Sequence, residues 1–233
     1  PKAAGLGMVL AVVFALCTML GAIGAGAMFQ ANQAFAQFAN VAGDAMPANG
    51  SLWFGLVYAV LGGIVVIGGI TRIGSVTARL VPGMAALYLL GAGIVIATNL
   101  PQLPGAFMAI LDGAFTAEGV AGGVIGALIQ GFRRAAFSNE AGLGSAAIAH
   151  AAVKTREPVS EGFVALWEPF IDTVVICTVT ALVIIITNQH LAGGADGVQL
   201  TSNAFATVSG VFPYMLVFIV LLFAFSTTIT WAY

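Results

Sequence analysis

Between Gly5 and Ala36 the chain carries no charged side chain. A membrane-crossing helix needs about 20 mostly apolar residues, whereas the apolar core of a signal peptide runs to about 7–15. The stretch therefore reads as a membrane span. The pattern recurs at roughly Leu52–Ile70, Pro82–Leu100, Phe163–Thr187 and Ser209–Trp231. Gly119–Ala152 is long enough as well, but polar residues interrupt it near 138–145. These segments are hydrophobic all round rather than along one stripe, as lipid-facing or fully packed helices are. The fold class expected is all-α and multi-pass transmembrane, with residues 1–233 forming a single transmembrane domain. The chain reads as an internal piece of a longer membrane protein.

Composition narrows the function. Only 7% of the 233 residues are charged and 60% are apolar, with a formal net charge of -2. A soluble domain carries about 25% charged residues, so water cannot be the main solvent here. With no basic patch, nucleic acid is excluded as a partner. Cys17 and Cys177 lie inside apolar runs and read as small hydrophobes, since two thiols cannot complete a structural zinc site. No nucleophile–base pair emerges for an intramembrane hydrolase, so the expectation is a non-enzyme without an organic cofactor.

Lys and Arg set the sidedness. Lys2 precedes the first span, Arg72 and Arg79 fall between the second and third, and Lys154 with Arg156 follow the interrupted segment. The alternate loops hold Asp44, Asp112, Glu118 and Asp196. This places the Lys2 side in the cytoplasm of a prokaryotic inner membrane. Leu103–Phe115 reads as an external helix lying in the interface. Arg133 and Arg134 break the pattern, because they sit on the external half of the interrupted segment. Ionisable groups at that depth face a cavity or a partner, which makes the pair candidates for an outer gate; snorkelling to the headgroups is the plainer alternative.

The interruption is Phe137-Ser-Asn-Glu-Ala-Gly-Leu-Gly-Ser145. Ser138, Asn139 and Glu140 followed by Gly142 and Gly144 favour unwinding, because glycine is a poor helix former and Ser and Asn compete for backbone hydrogen bonds. Non-helical backbone at membrane depth survives only when packed in protein or lining a polar cavity. Broken helices near the midplane are how many secondary transporters bind cations and carboxylates. Glu140, an intramembrane carboxylate, joins the gating candidates. The plainer reading is a polar kink that packs helices.

The run from Gly131 to Ala152, GFRRAAFSNEAGLGSAAIAHAA, closely resembles the signature of the alanine/glycine:cation symporter family, the sodium:alanine symporters. Supporting matches are Met28-Phe-Gln-Ala-Asn32, Gly68-Gly-Ile-Thr-Arg-Ile73, Asp172-Thr173 and Phe223-Ala-Phe-Ser-Thr227 with Trp231. Ala135 and Ala147 depart from the family's usual Gly and Pro. The resemblance implies a leucine-transporter-like fold of two inverted repeats. The present spans would be core helices three to eight, and the first two core helices are expected in a longer parent chain. It also implies symport of alanine or glycine with sodium as coupling ion, and it places Gln30 beside the substrate.

Other polar residues fit that frame. Ser226, Thr227, Thr228 and Thr230 crowd the last span, where an isolated hydroxyl would bond its own i−4 carbonyl. Four hydroxyls with carbonyls one turn earlier offer neutral oxygen ligands to a hard cation. Similar folds hold sodium at this helix, so Thr227 with Ser226 or Thr228 is the expected sodium site. Trp231 is one turn from Thr227 on the same face and would wall a small pocket together with Phe137. As a plainer reading, Trp231 is an interfacial anchor. The substrate set is then Gln30, Phe137, Ser138, Asn139, Gly142, Thr227 and Trp231. Glu168 and Asp172 suggest structural pairing with a basic group or a cytoplasmic gate, and His150 reads as a helix-packing residue. A channel or an uncoupled membrane scaffold is the alternative, although the sequence shows no filter loop or repeated polar rings.

Overall fold

A computed structural model describes residues 5–115, 128–129, 145–195 and 197–232. Every long element among them is helical, and none of these residues forms a strand. The elements are α1 (Leu6–Gly21), α2 (Phe29–Ala42), α3 (Gly50–Val66), α4 (Gly69–Thr98), α5 (Leu103–Phe115), α6 (Ala146–His150), α7 (Pro158–Pro169), α8 (Thr178–Ile186), α9 (Val198–Ala206) and α10 (Phe212–Trp231). Two π-helical segments join neighbours, Ala22–Met28 between α1 and α2 and Phe170–Cys177 between α7 and α8.

Four continuous helical runs are long and apolar enough to cross a membrane: Leu6–Ala45, Gly69–Thr98, Pro158–Ile186 and Phe212–Trp231. Gly50–Val66 is a shorter apolar helix. No residue of α1 is buried within the chain, and Leu6, Met8, Met19 and Leu20 are each well over half exposed. A water-soluble protein does not present apolar surface on that scale. The chain is a multi-pass membrane protein.

The sequence placed Arg72 and Arg79 in a loop and began the third span at Pro82. Instead, α4 starts at Gly69 and runs through both arginines and the proline. The short turn at Ile67 and Gly68 separates α3 from α4. Gly69 has φ +69°, a left-handed conformation that glycine adopts without steric cost. Arginine is a good helix former, so the basic residues sit on the first turns of α4. The sequence-derived span Gly119–Ala152 lies mostly outside the described residues.

The chain divides into two compact units, Pro1–Leu90 with Gly194–Tyr233, and Gly91–Gly193. In the first, α2 and α10 form the main helix pair, and Val65, Ile73 and Ile229 form a buried cluster backed by Val66, Val76 and Phe225. Aromatic rings continue the packing: Phe54 on Tyr58 and Tyr58 edge-on to Phe225, each with centroids 5.9 Å apart. In the second unit Ala106 of α5 packs with Leu182 and Ile186 of α8. The helix Leu103–Phe115 thus has the bounds its sequence suggested.

Both π-helical segments have local causes. The first covers Ala-Ile-Gly-Ala-Gly-Ala-Met, where small residues tolerate a widened turn. Gln30 caps the distortion, its Nε2 donating to the Ala25 carbonyl five residues earlier at 3.4 Å. The second begins directly after Pro169, whose missing amide hydrogen leaves the Ala165 carbonyl in α7 without its helical donor.

Candidate functional site

The π-helical segment meets the end of α10. Thr228 Oγ1 approaches the Gly26 carbonyl at 3.4 Å, its own Ala224 carbonyl at 2.9 Å and the Tyr58 hydroxyl at 2.8 Å. Carbonyls only accept, and threonine has one proton. With that proton on the nearer carbonyl, Ala224, the Tyr58 hydroxyl is the donor to Thr228. Three elements, the π segment, α3 and α10, therefore converge on one hydroxyl.

Gly26 is buried, and Trp231 occupies the space its side chain would take. A Cβ on Gly26 would lie 2.5 Å from Trp231 Cγ and 2.6 Å from its Cβ. Trp231 is half-buried against this glycine rather than standing clear of the chain, and it shares an α10 face with Thr227 and Thr228.

The other serine and threonine hydroxyls of α10 bond back to their own helix. Ser226 Oγ and Thr227 Oγ1 donate to the Phe223 carbonyl at 2.9 and 3.0 Å, and Thr230 donates to the Ser226 and Thr227 carbonyls. Ser226 is buried, with Met84 Sδ 3.8 Å away. This is the ordinary back-bonding of hydroxyls in an apolar helix. It also fixes the proton of each hydroxyl on the helix and turns its lone pairs away from it, so the bond does not remove the oxygen as a cation ligand.

The structure brings Thr228 and Trp231 together with the π segment that Gln30 caps. Arg133, Arg134, Phe137, Ser138, Asn139, Glu140 and Gly142 lie outside the described residues. Tyr58 and Gly26 were missed by sequence reasoning. Tyr58 had a signal, a phenol inside an apolar span whose hydroxyl must find a partner; Gly26 was hidden in the small-residue run 21–27.

In the second unit His150 has a charged environment that its sequence setting did not suggest. Its Nδ1 lies 2.6 Å from Glu161 Oε1 and its Nε2 lies 3.0 Å from Glu168 Oε1. The second contact is an ion-pair approach without hydrogen-bond alignment. Glu168 does meet a basic group, and His150 is more than a packing residue. No group of three metal-ligating side chains occurs among the described residues.

The family model described as "Sodium:alanine symporter family" matches residues 3–233. The chain belongs to that family. A sodium/alanine symporter of Methanococcus maripaludis is 36% identical over 98% of this chain and 50% of its own length. An uncharacterized transporter of Haemophilus influenzae is 34% identical, covering 76% of this chain and 41% of the relative. A probable sodium/glutamine symporter of Bacillus subtilis is 36% identical over 76% of this chain and 38% of the relative. The chain spans half the length of the archaeal relative and less of the two bacterial ones. Sodium:alanine symporters are transporters and not enzymes, in agreement with the sequence reading.

Proposed function

We propose that the protein to which this chain contributes carries a small neutral amino acid, alanine or glycine, across the plasma membrane together with sodium. The observation that carries this reading is the meeting of the π segment, Tyr58 and the α10 hydroxyls around Thr228. A distorted helix beside a row of oriented hydroxyls suits a desolvated monovalent cation, which needs several neutral oxygens and no full countercharge. Ser226, Thr227 and Thr228 are the sodium ligands. Gln30, Phe137, Ser138, Asn139, Gly142, Thr227 and Trp231 surround the substrate. Phe137 and Trp231 limit the side chain to a small one, and the Ser138–Gly142 motif, which lies outside the described residues, supplies polar groups for the amino acid's charged ends.

The fold is leucine-transporter-like, with inverted repeats and alternating access around this site. Arg133, Arg134 and Glu140 gate it, and the Lys2 side faces the cytoplasm. Sodium and substrate that share Thr227 must couple, and coupling is reciprocal. Alanine binding to the full-length parent, measured by calorimetry across sodium concentrations, should tighten as sodium rises. Alanine affinity independent of sodium would remove the shared site.

A further inference from the structure

His150 ends α6, directly after the 137–145 motif, and Glu161 and Glu168 stand on α7. Seven residues, two helical turns, separate the glutamates, which puts them on one face. The imidazole lies between them, one nitrogen toward each carboxylate, at 2.6 and 3.0 Å. Its Nε2 is shielded from solvent and has no aligned hydrogen bond, and Glu168 is the group within ion-pair reach of it among the described residues.

Proton counting decides what this arrangement needs. A neutral imidazole has one N–H and one lone pair, and an ionised carboxylate only accepts. A neutral ring would therefore set its lone pair against a carboxylate oxygen at one of the two contacts. An imidazolium presents an N–H to both. We propose that His150, Glu161 and Glu168 form a proton-binding site that ties α6 to α7. The ligand is a single proton, carried on the ring, which alone can present an N–H to both carboxylates.

Among the described residues, the charges within ion-pair reach of His150 come from α7. The remaining residues of α6 are uncharged, and the connection 151–157 carries Lys154, Arg156 and Glu157, all exposed. Asp172 stands one turn beyond Glu168 in the following π segment. The tie holds two carboxylates while the proton is bound, and loses one of its contacts when the proton leaves. With both carboxylates ionised, it therefore loosens as pH rises and the ring gives up its proton.

The consequence for transport rests on the symport reading. On that reading, a transport step that shifts α6 against α7 would make and break this tie, and its rate would depend on one proton. Glutamine at position 168 can donate its amide N–H to a neutral Nε2, keeping the contact without a proton. Glu168→Gln should remove the pH dependence while leaving the two helices joined.

The test uses the full-length parent labelled with 15N-histidine in lipid nanodiscs, with His150 assigned by comparison with His150→Gln. At pH 7 both ring nitrogens should be protonated in the wild type and only one in Glu168→Gln. Glu161→Gln should behave as Glu168→Gln does, and it serves if the latter fails to fold. In vesicles, sodium-driven alanine uptake should show a one-proton step with pH in the wild type and none in the variants. A neutral His150 ring in the wild type at pH 7, or a step that survives both substitutions, would overturn the site. A doubly protonated ring without any alanine uptake supports the site and counts against symport.

Discussion

Trp231 rests on Gly26 at a distance that leaves no room for a Cβ between them. The atoms in the way, Cβ and Cγ of the indole, are tied to the α10 backbone and cannot swing aside. Gly26→Ala must therefore push α10 from the π segment, and overpacking of this kind costs about 1–3 kcal/mol. Thermal unfolding of the parent in detergent should show that loss for Gly26→Ala. Gly24→Ala, in the same segment with nothing within 4 Å of the added carbon, should leave the midpoint in place. Equal effects at both positions would mean that the Trp231 contact does not hold the helices together.

Tyr58 tests the arrangement of the hydroxyls. Tyr58→Phe keeps the ring stack with Phe54 and removes only the donor to Thr228. A hydrogen bond between membrane helices is worth about 0.6–2 kcal/mol, so apparent sodium affinity should weaken by roughly 3- to 30-fold. Because the two groups act as one unit, adding Tyr58→Phe to Thr228→Val should cost little more than Thr228→Val alone. Additive losses in sodium-dependent alanine uptake would separate them.

How much of this was legible in the sequence differs by element. The multi-pass all-α architecture followed from apolar length, and Leu103–Phe115 was found to the residue. The start of α4 was misread because Pro82 resembles a helix beginning and Arg72 and Arg79 resemble a loop, while the actual turn rests on the positive φ of Gly69. At the site, the α10 hydroxyls were visible as a cluster, but their partners were not. Tyr58 is 170 positions from Thr228 and Gly26 is 202, and no local pattern reports a contact at that separation. The carboxylates of His150 are much nearer in sequence, but they stand on the next helix, and nothing in the helix that His150 ends points to them.

Thr227→Ala tests the cation site, and comparison with Asn139→Ala distinguishes it from the substrate site. It removes one neutral oxygen from an ion with few other ligands, at a cost of about 1.5–3 kcal/mol, or roughly 10- to 150-fold in apparent sodium affinity. Alanine affinity below sodium saturation should fall with it and recover at high sodium. Asn139→Ala should weaken alanine binding in a way that added sodium does not restore. An unmoved sodium dependence in Thr227→Ala would leave that hydroxyl with its Phe223 bond as its whole role.

Trp231→Ala tests size selection. It would enlarge the proposed substrate site beside Gly26, and one methylene in a hydrophobic pocket is worth about 1–3 kcal/mol. Competition by valine and leucine against alanine uptake should improve by roughly tenfold relative to the wild type. An unchanged profile would return Trp231 to packing alone.

The central claim is coupling, and the most direct measurement is alanine uptake by the full-length parent reconstituted in vesicles. With sodium outside and choline inside, labelled alanine should accumulate above its external concentration and leak back when the gradient is collapsed. Equal uptake with choline on both sides would contradict sodium symport.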